Sequence, residues 1–424
     1  MLTFAKNWYG MYWKALTKAE IRKKVFRALN NNINYDQEPL IGIPASYLDR
    51  MHFYSNLPLL KEAPFLLTMI NNPNHIGCHT LTKDKSEEYF RGTQEIEIEL
   101  IETLATQVFC ALPESIDGYV APGGTEANIQ AQWIYRNYYQ TEFHAQPHEI
   151  AVVYTEDAHY SMPKGANLLG LPRIIVSVNQ EDRKIDLNAF RNQLIQAAQN
   201  GTKYLIITLN MGTTMYGSVD DIDPFLAVLN EFRFEYKIHI DGAFGGFIYP
   251  FTNENNPLNF AHPAVNSITV DGHKMLQAPY GTGIFLVRKN WMKYTISDAA
   301  KYVSGLDSTL CGSRSGANAI AVWMIIMGYG SEGWKNHCLD LMNRTDHLCA
   351  GLDELGLHYR REKHMNIVTI DAENFPQDLV EKFHLVADDK ENPSVYKVVV
   401  MAHVTFEIID RFLNKLRLEI WVND

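Results

Sequence analysis

The chain has 424 residues, 46% of them hydrophobic and 21% charged, a composition that excludes disorder and leaves room for two or three domains around a large core. Its net charge of −11 excludes a general nucleic-acid binder, which needs clustered Lys and Arg to displace counterions from phosphate. The five cysteines (Cys78, Cys110, Cys311, Cys338 and Cys349) are scattered and show no CxxC pair, so they read as reduced thiols in a cytoplasmic protein rather than as a disulfide scaffold.

Residues 1–60 are rich in aromatics and helix formers and lack the apolar stretch and cleavage site of a secretory signal. Trp8, Tyr9, Met11, Tyr12 and Trp13 predict an N-terminal helical segment that packs on something larger, its own domain or a second subunit. The basic stretch 18–24 reads as a solvated helix face. Over 61–314, short apolar runs recur at 118–121, 150–154, 173–178, 204–209, 236–240, 267–270 and 282–287. Stretches of helical spacing at 126–138, 160–169, 186–198 and 222–232 separate most of them, which predicts a large α/β domain with a mostly parallel sheet. From 315 the texture changes to helices at 315–327 and 332–355, short strands near 367–370 and 397–401, and a last helix at 406–416. That is a smaller C-terminal α+β domain over 315–424. The longest apolar run, 317–327, is too short for the about 20 residues that cross a bilayer, so it reads as a buried helix and no membrane partner is expected.

The strand ends carry more information than the strands. In order they read APGGTEAN, TEDAHYS, NMGTTMYG, DGAFGG and DGHK, and in open α/β sheets the ligand crevice lies outside the carboxyl ends of the strands. Gly123, Gly124 and Thr125 open a helix and suit either a phosphate or a tight turn capped by Thr125. Asp241 suits either a cationic ring nitrogen or a local cap, and Lys274 either a Schiff base or an ordinary snorkelling lysine. Taken together, a phosphate loop, an acid and then a lysine about thirty residues later are what pyridoxal phosphate requires. His75, Cys78 and His79 have a spacing that zinc can use, but with no fourth ligand nearby they read as packing or substrate contacts, and no metal is expected.

An ordered series of motifs from NNPNHIG and GTQEIEIELI through GGTEAN, HYSMPKGANLLGL, GTTMYGSVDDI, HIDGAFGGFIYPF, DGHKMLQAPYGTG and GSRSGA to KVVVMAHVTFEIID resembles the group II pyridoxal-phosphate-dependent amino-acid decarboxylases over nearly the whole chain. The central and C-terminal parts look most like the histidine and serine decarboxylase branch, and HIDGAFGGFIYPF and DGHK also resemble archaeal tyrosine or aspartate decarboxylases. The resemblance implies an α/β chain of the pyridoxal-phosphate-dependent transferase fold (fold type I). It has a mostly parallel seven-stranded sheet with helices on both faces and a small C-terminal α+β domain.

By the same resemblance, Lys274 would form the Schiff base with pyridoxal phosphate, His273 would lie beside the phosphate, and Gly124 and Thr125 would bind it. Asp241 would pair with the pyridine nitrogen, Ala243 and His159 would cover the two ring faces, and Thr213 or Thr214 would lie near the ring hydroxyl or the substrate carboxylate. Gly312 and Ser313 in GSRSG, with Tyr302 in KYVSGLDST, match a segment that reaches the neighbouring subunit's site, which implies a homodimer with shared active sites. From its local composition, with Ser304, Gly305, Asp307 and Ser308 and little apolar content, KYVSGLDST reads as a mobile loop able to close over a site, so Tyr302 is expected to help protonate Cα. Two positions depart from the pattern: Asp271 adds a negative charge near the phosphate, and Gly242 stands where alanine is common. The implied reaction is decarboxylation of an L-amino acid (histidine, serine, tyrosine or another aromatic, or aspartate). The alternatives are a carbon–carbon lyase resembling sphingosine-phosphate lyase, an aminotransferase and a non-catalytic binding protein on the same fold.

Overall fold

A computed structural model of the chain describes residues 41, 51, 68–69, 72–81, 90–297, 306–373 and 375–423. The expected N-terminal helical segment, apart from Ile41 and Met51, and the expected catalytic Tyr302 lie outside the described residues.

The main sheet has seven strands in the order β2-β8-β7-β6-β5-β3-β4. They are β2 (Ile116–Ala121), β3 (Ile150–Thr155), β4 (Arg173–Val176), β5 (Tyr204–Asn210), β6 (Glu235–Asp241), β7 (Val265–Asp271) and β8 (Gly283–Arg288). The pairs β3/β4, β3/β5, β5/β6 and β6/β7 are parallel, while β8 runs antiparallel to both β7 and β2. The reason is length. Parallel neighbours need a crossover of a dozen or more residues, and the 272–282 link carrying His273 and Lys274 is too short to provide one.

β3, IAVVYT, is buried along its whole length, as a strand covered on both faces must be. Its alternation splits it between two layers. Ile150, Val152 and Tyr154 join α2 (Gly124–Phe143) through Ala127, Ala131, Ile134 and Tyr135. Ala151 and Val153 join the opposite layer, with Leu100 and Ile101 of α1 (Arg91–Thr103), Phe190 of α4 (Leu187–Gln199) and Phe225 of α5 (Ile222–Leu229). On the α2 side lies also α3 (Ser161–Leu169), through Met162 and Ala166. α4 begins where Asp186 accepts from the Asn188 and Ala189 amides, a cap that fixes the helix start.

A short β1 (Asn74–Ile76) pairs antiparallel with β9 (Ser313–Ser315), drawing the two ends of the large layer together. α6 (Gly316–Glu354) then joins the seven-stranded sheet to a smaller four-stranded one. Its first half gives Ala319, Val322 and Ile325 to the main core, and its second half gives Leu348, Cys349 and Leu352 to the small sheet. The break between the two expected helices is a kink inside one element, at Gly330, whose φ of 65° and ψ of 171° favour glycine. The small sheet, β10-β11-β13-β12, consists of β10 (Tyr359–Arg360), β11 (Ile367–Asp371), β12 (Val386–Ala387) and β13 (Val395–Val399). It packs with α7 (Gln377–Phe383) and α8 (Phe406–Asn423). β10 and β12 are two residues each, too short to show alternation.

Candidate active site

Parallel strands end together, so the loops after β2, β3, β5, β6 and β7 converge at one edge of the sheet. The result is a cleft of about 580 Å³ lined by Gly124, Thr125, His159, Ala243, Asp271, His273 and Lys274 among others. An inner arm shares His159, Ala243 and Lys274 and adds Asn210, Thr213, Thr214, Asp241, Phe244, Ile367, Lys397 and Val399. Nine expected site residues therefore meet: Gly124, Thr125, His159, Thr213, Thr214, Asp241, Ala243, His273 and Lys274. Gly312 and Ser313 do not line the cleft of their own chain. Ser313 is exposed on β9 beside Asn74 Nδ2 at 3.4 Å, while Arg314 next to it turns inward.

The sites for a phosphorylated pyridine are built from the chain's own geometry. α2 starts at Gly124, so its first amides point into the cleft without helical partners, a place for an anion. A Cβ at Gly124 would lie 2.7 Å from Asp271 Oδ2, so glycine there serves close packing against β7 as well as access. Asp271, the expected intruding charge, is balanced on the spot: its Oδ2 lies 3.4 Å from Lys274 Nζ and 3.6 Å from His273 Nε2. His273 Nδ1 is buried with no hydrogen-bond partner among the described residues, a polar atom in want of a ligand at the mouth of the anion site. Burial lowers the His273 pKa against the pull of Asp271. His159 is lowered by burial too, against Asp241, so its ring stays neutral; its Nδ1 is 2.9 Å from Ser161 Oγ. These features fit pyridoxal phosphate: an anion cradle, a carboxylate for the ring nitrogen, flat neighbours in Ala243 and His159, and an amine.

Asp241 is held by a chain of buried hydrogen bonds. Its Oδ1 accepts from the Ala243 amide at 3.1 Å and its Oδ2 from Asn128 Nδ2 at 2.9 Å. Because Asn128 donates through Nδ2, its Oδ1, 2.9 Å from His239 Nε2, must accept from that nitrogen. His239 Nδ1 then accepts from Ser267 Oγ at 2.8 Å, and Ser267 Oγ accepts from Tyr135 OH at 2.6 Å. Burial pushes His239 down to about 4, which keeps it in the neutral form this polarity demands. The motif reading passed over Asn128 and His239, although both were within quoted motifs. His239 stands two residues before Asp241, on the same face of β6, and that period was the available signal. Lys397 was missed as well; its signal was a lone charge at the head of an apolar strand.

The His75, His79 and Glu97 ligand atoms lie within 4.8 Å of one another, close enough to suggest a metal. Arg314 shares the carboxylate: its Nη1 is 2.7 Å from Glu97 Oε1, and it also donates to the Val120 and Gly77 carbonyls. Burial raises the Glu97 pKa, but Arg314 and the His75 hydrogen bond outweigh it and hold the carboxyl well below its ordinary range. Burial pushes His79 down to about 4. Cys78 turns to Thr80 and the Gly118 carbonyl, with its thiol pushed up to about 11, chiefly by burial. The group is an ion-paired strut joining α1, β2 and the β1/β9 pair.

The pyridoxal-dependent decarboxylase conserved domain matches residues 32–372. The chain is 47% identical over 408 residues to a tryptophan decarboxylase of Clostridium sporogenes, covering 96% of this chain and 97% of that one. It is 31% identical to a histidine decarboxylase of Vibrio anguillarum over 68% of this chain and 70% of the other. A Streptomyces L-methionine decarboxylase structure, 21% identical, superposes with a TM-score of 0.73 over 95% of each chain and shares its fold.

Proposed function

The chain belongs to the pyridoxal-dependent decarboxylase family and is a pyridoxal-phosphate-dependent amino-acid decarboxylase of fold type I; from that premise we propose that its substrate is an aromatic L-amino acid, with L-tryptophan first. The observation that carries this reading is the 47% identity, over 96% of the chain, to an enzyme named for tryptophan. Phe244, Ile367 and Val399 support it by giving the inner arm an apolar wall.

Pyridoxal phosphate, when bound, supplies the electron sink that lets the Cα–carboxylate bond break. In this reading Lys274 Nζ would hold the cofactor through its aldehyde. The first amides of α2 at Gly124 and Thr125, with His273, hold the phosphate. An Asp241 carboxylate oxygen would keep a proton on the ring nitrogen, Ala243 and His159 would cover the ring faces, and Thr213 and Thr214 would line the substrate side. Tyr302 would deliver a proton to Cα, a role that rests on its place in the sequence stretch KYVSGLDST, which has little apolar content. Gly312, Ser313 and Tyr302 act in a partner's site, so the working unit is a homodimer. It comprises an N-terminal segment 1–60, a cofactor domain 61–314 and a small domain 315–424. Among the described residues no helix is long and apolar enough to cross a membrane; together with the scattered cysteines, this supports a cytoplasmic enzyme.

The test is a substrate panel. Purified protein loaded with pyridoxal phosphate is given L-tryptophan, L-tyrosine, L-phenylalanine, L-histidine, L-serine and L-aspartate, and carbon dioxide and amine are measured for each. The highest kcat/KM is expected for tryptophan. A higher value for histidine, serine or aspartate than for every aromatic overturns the assignment.

A further inference from the structure

We propose that Lys397 of the small sheet binds the α-carboxylate of the substrate, the contact by which this pocket distinguishes an amino acid from an amine. The proposal rests on the decarboxylase reading and adds a residue to it.

Lys397 reaches the site because of strand alternation. On β13, Tyr396 and Val398 turn into the core of the small domain, so Lys397 and Val399 face the other way and line the inner arm. Lys397 is 4% exposed, and its Nζ donates to the Thr214 carbonyl at 3.0 Å. An ammonium has three donors, and among the described residues no carboxylate forms an ion pair with this one. Placing a lysine in such a site without an acid is costly unless an anion arrives during function. Burial and the nearby Lys274 push its pKa down to about 8, the direction expected for a cation whose counter-ion is absent.

The anion that fits is the substrate's. The phosphate cradle at Gly124 opens onto the outer cleft, which Lys397 does not line. Asp241 answers for the ring nitrogen, and burial keeps His159 neutral. Lys274, the other lysine of the inner arm, is committed to the cofactor aldehyde. A substrate carboxylate entering this arm therefore meets one uncommitted cation among the described lining residues, held by the carbonyl of Thr214. A cation that favours the charged carboxylate favours the ground state over a transition state on the way to neutral carbon dioxide. Its loss should thus weaken binding more than turnover.

Two variants of the cofactor-loaded enzyme test this. Lys397→Met removes the charge and suits the apolar surroundings; Lys397→Gln removes the charge but keeps a donor for the Thr214 carbonyl. With whichever amino acid the unaltered enzyme turns over fastest, both should raise KM by about 10- to 100-fold, the loss of one charge-assisted hydrogen bond, with a smaller change in kcat. The dissociation constants of the product amine and of the amino-acid methyl ester, followed by cofactor absorbance, should stay within about twofold, since neither carries the carboxylate. Lys397→Arg should recover part of the affinity. An unchanged KM in Lys397→Gln overturns the proposal, as does an equal loss of affinity for amine, ester and acid. If histidine or another polar amino acid proves to be the substrate, the aromatic assignment fails, yet the comparison of acid with ester still decides the role of Lys397.

Discussion

His239 touches neither cofactor nor substrate in the arrangement described above, yet replacing it should impair both stability and turnover. His239→Leu deletes the donor to Asn128 Oδ1 and the acceptor for Ser267, leaving two polar groups orphaned in a fully buried site. Each orphan costs about 1–3 kcal/mol, so the fold should lose about 2–6 kcal/mol. At about 2.1 cal/mol/K of unfolding entropy per residue, a chain of 424 residues then melts roughly 2–7 °C lower. Asn128, no longer held in one sense, can turn its carbonyl toward Asp241 and repel the carboxylate it now supports. The chemical step should slow by about 10- to 100-fold, the worth of a hydrogen bond to a charged group. The pH dependence has a definite sign. His239 sits near 4 in the fold against an ordinary 6.5, so below pH 6.5 the unfolded chain takes up the proton first. Its contribution is whole above pH 6.5 and drains away toward pH 4, by at most about 3 kcal/mol. Thermal melts of wild type and His239→Leu between pH 7.5 and pH 4.5, with single-turnover decarboxylation, measure both effects. His239→Gln, which keeps an amide donor, should retain more activity than His239→Leu. A leucine variant with wild-type turnover and an undiminished slope of melting temperature on pH would refute the relay.

Arg314→Met should destabilise the protein by about 3–5 kcal/mol, because it strands Glu97 as a buried, uncompensated charge. Added zinc should restore none of this, and a zinc-dependent recovery of the melting temperature would instead reveal a metal triad of His75, His79 and Glu97. Mixed dimers of Lys274→Ala and Tyr302→Phe should recover part of the activity that each homodimer lacks, since one of their two sites carries both groups; no recovery at any mixing ratio would show that each protomer works alone. Arg314 variants should not complement in this way, because Arg314 is buried on Glu97 of its own chain. Tyr302→Phe by itself should let carbon dioxide release outrun amine formation, whereas a ratio of one at the normal rate would place the proton donor elsewhere.

The seven main strands and the glycine, acid and lysine at their ends were legible because each is local. Alternating or continuous apolar runs mark strands, and the motif after each strand lands at the same edge whenever the strands run parallel. The antiparallel insertion of β8 was legible in principle from the short 272–282 link, but it was absorbed into the expectation of a mostly parallel sheet. The break at Gly330 shows the converse: pattern reading placed a boundary correctly and made two helices of one kinked element. Nothing within GSRSG sets the direction of Arg314, which depends on Glu97, 217 residues earlier.

What stayed hidden shares one physical property, that its meaning lies in pairs. Asn128 reads as an ordinary polar residue on a helix until Asp241, 113 residues later, is seen to accept from it. His239 reads as one position of an apolar strand until Asn128 fixes its tautomer. Lys397 reads as a charge at a strand's head until β13 docks it 3.0 Å from the Thr214 carbonyl, 183 residues earlier. Groups that bind the cofactor recur in motifs because the cofactor is constant and sits at strand ends, whereas groups that set polarity and select the substrate come from wherever the fold brings a side chain. For this chain, the reaction was therefore written along the sequence, while the carboxylate contact and the support of Asp241 are written across it. That is why removing the charge at Lys397, far along the sequence from every cofactor motif, is expected to alter which molecules bind while leaving the chemistry they undergo largely intact.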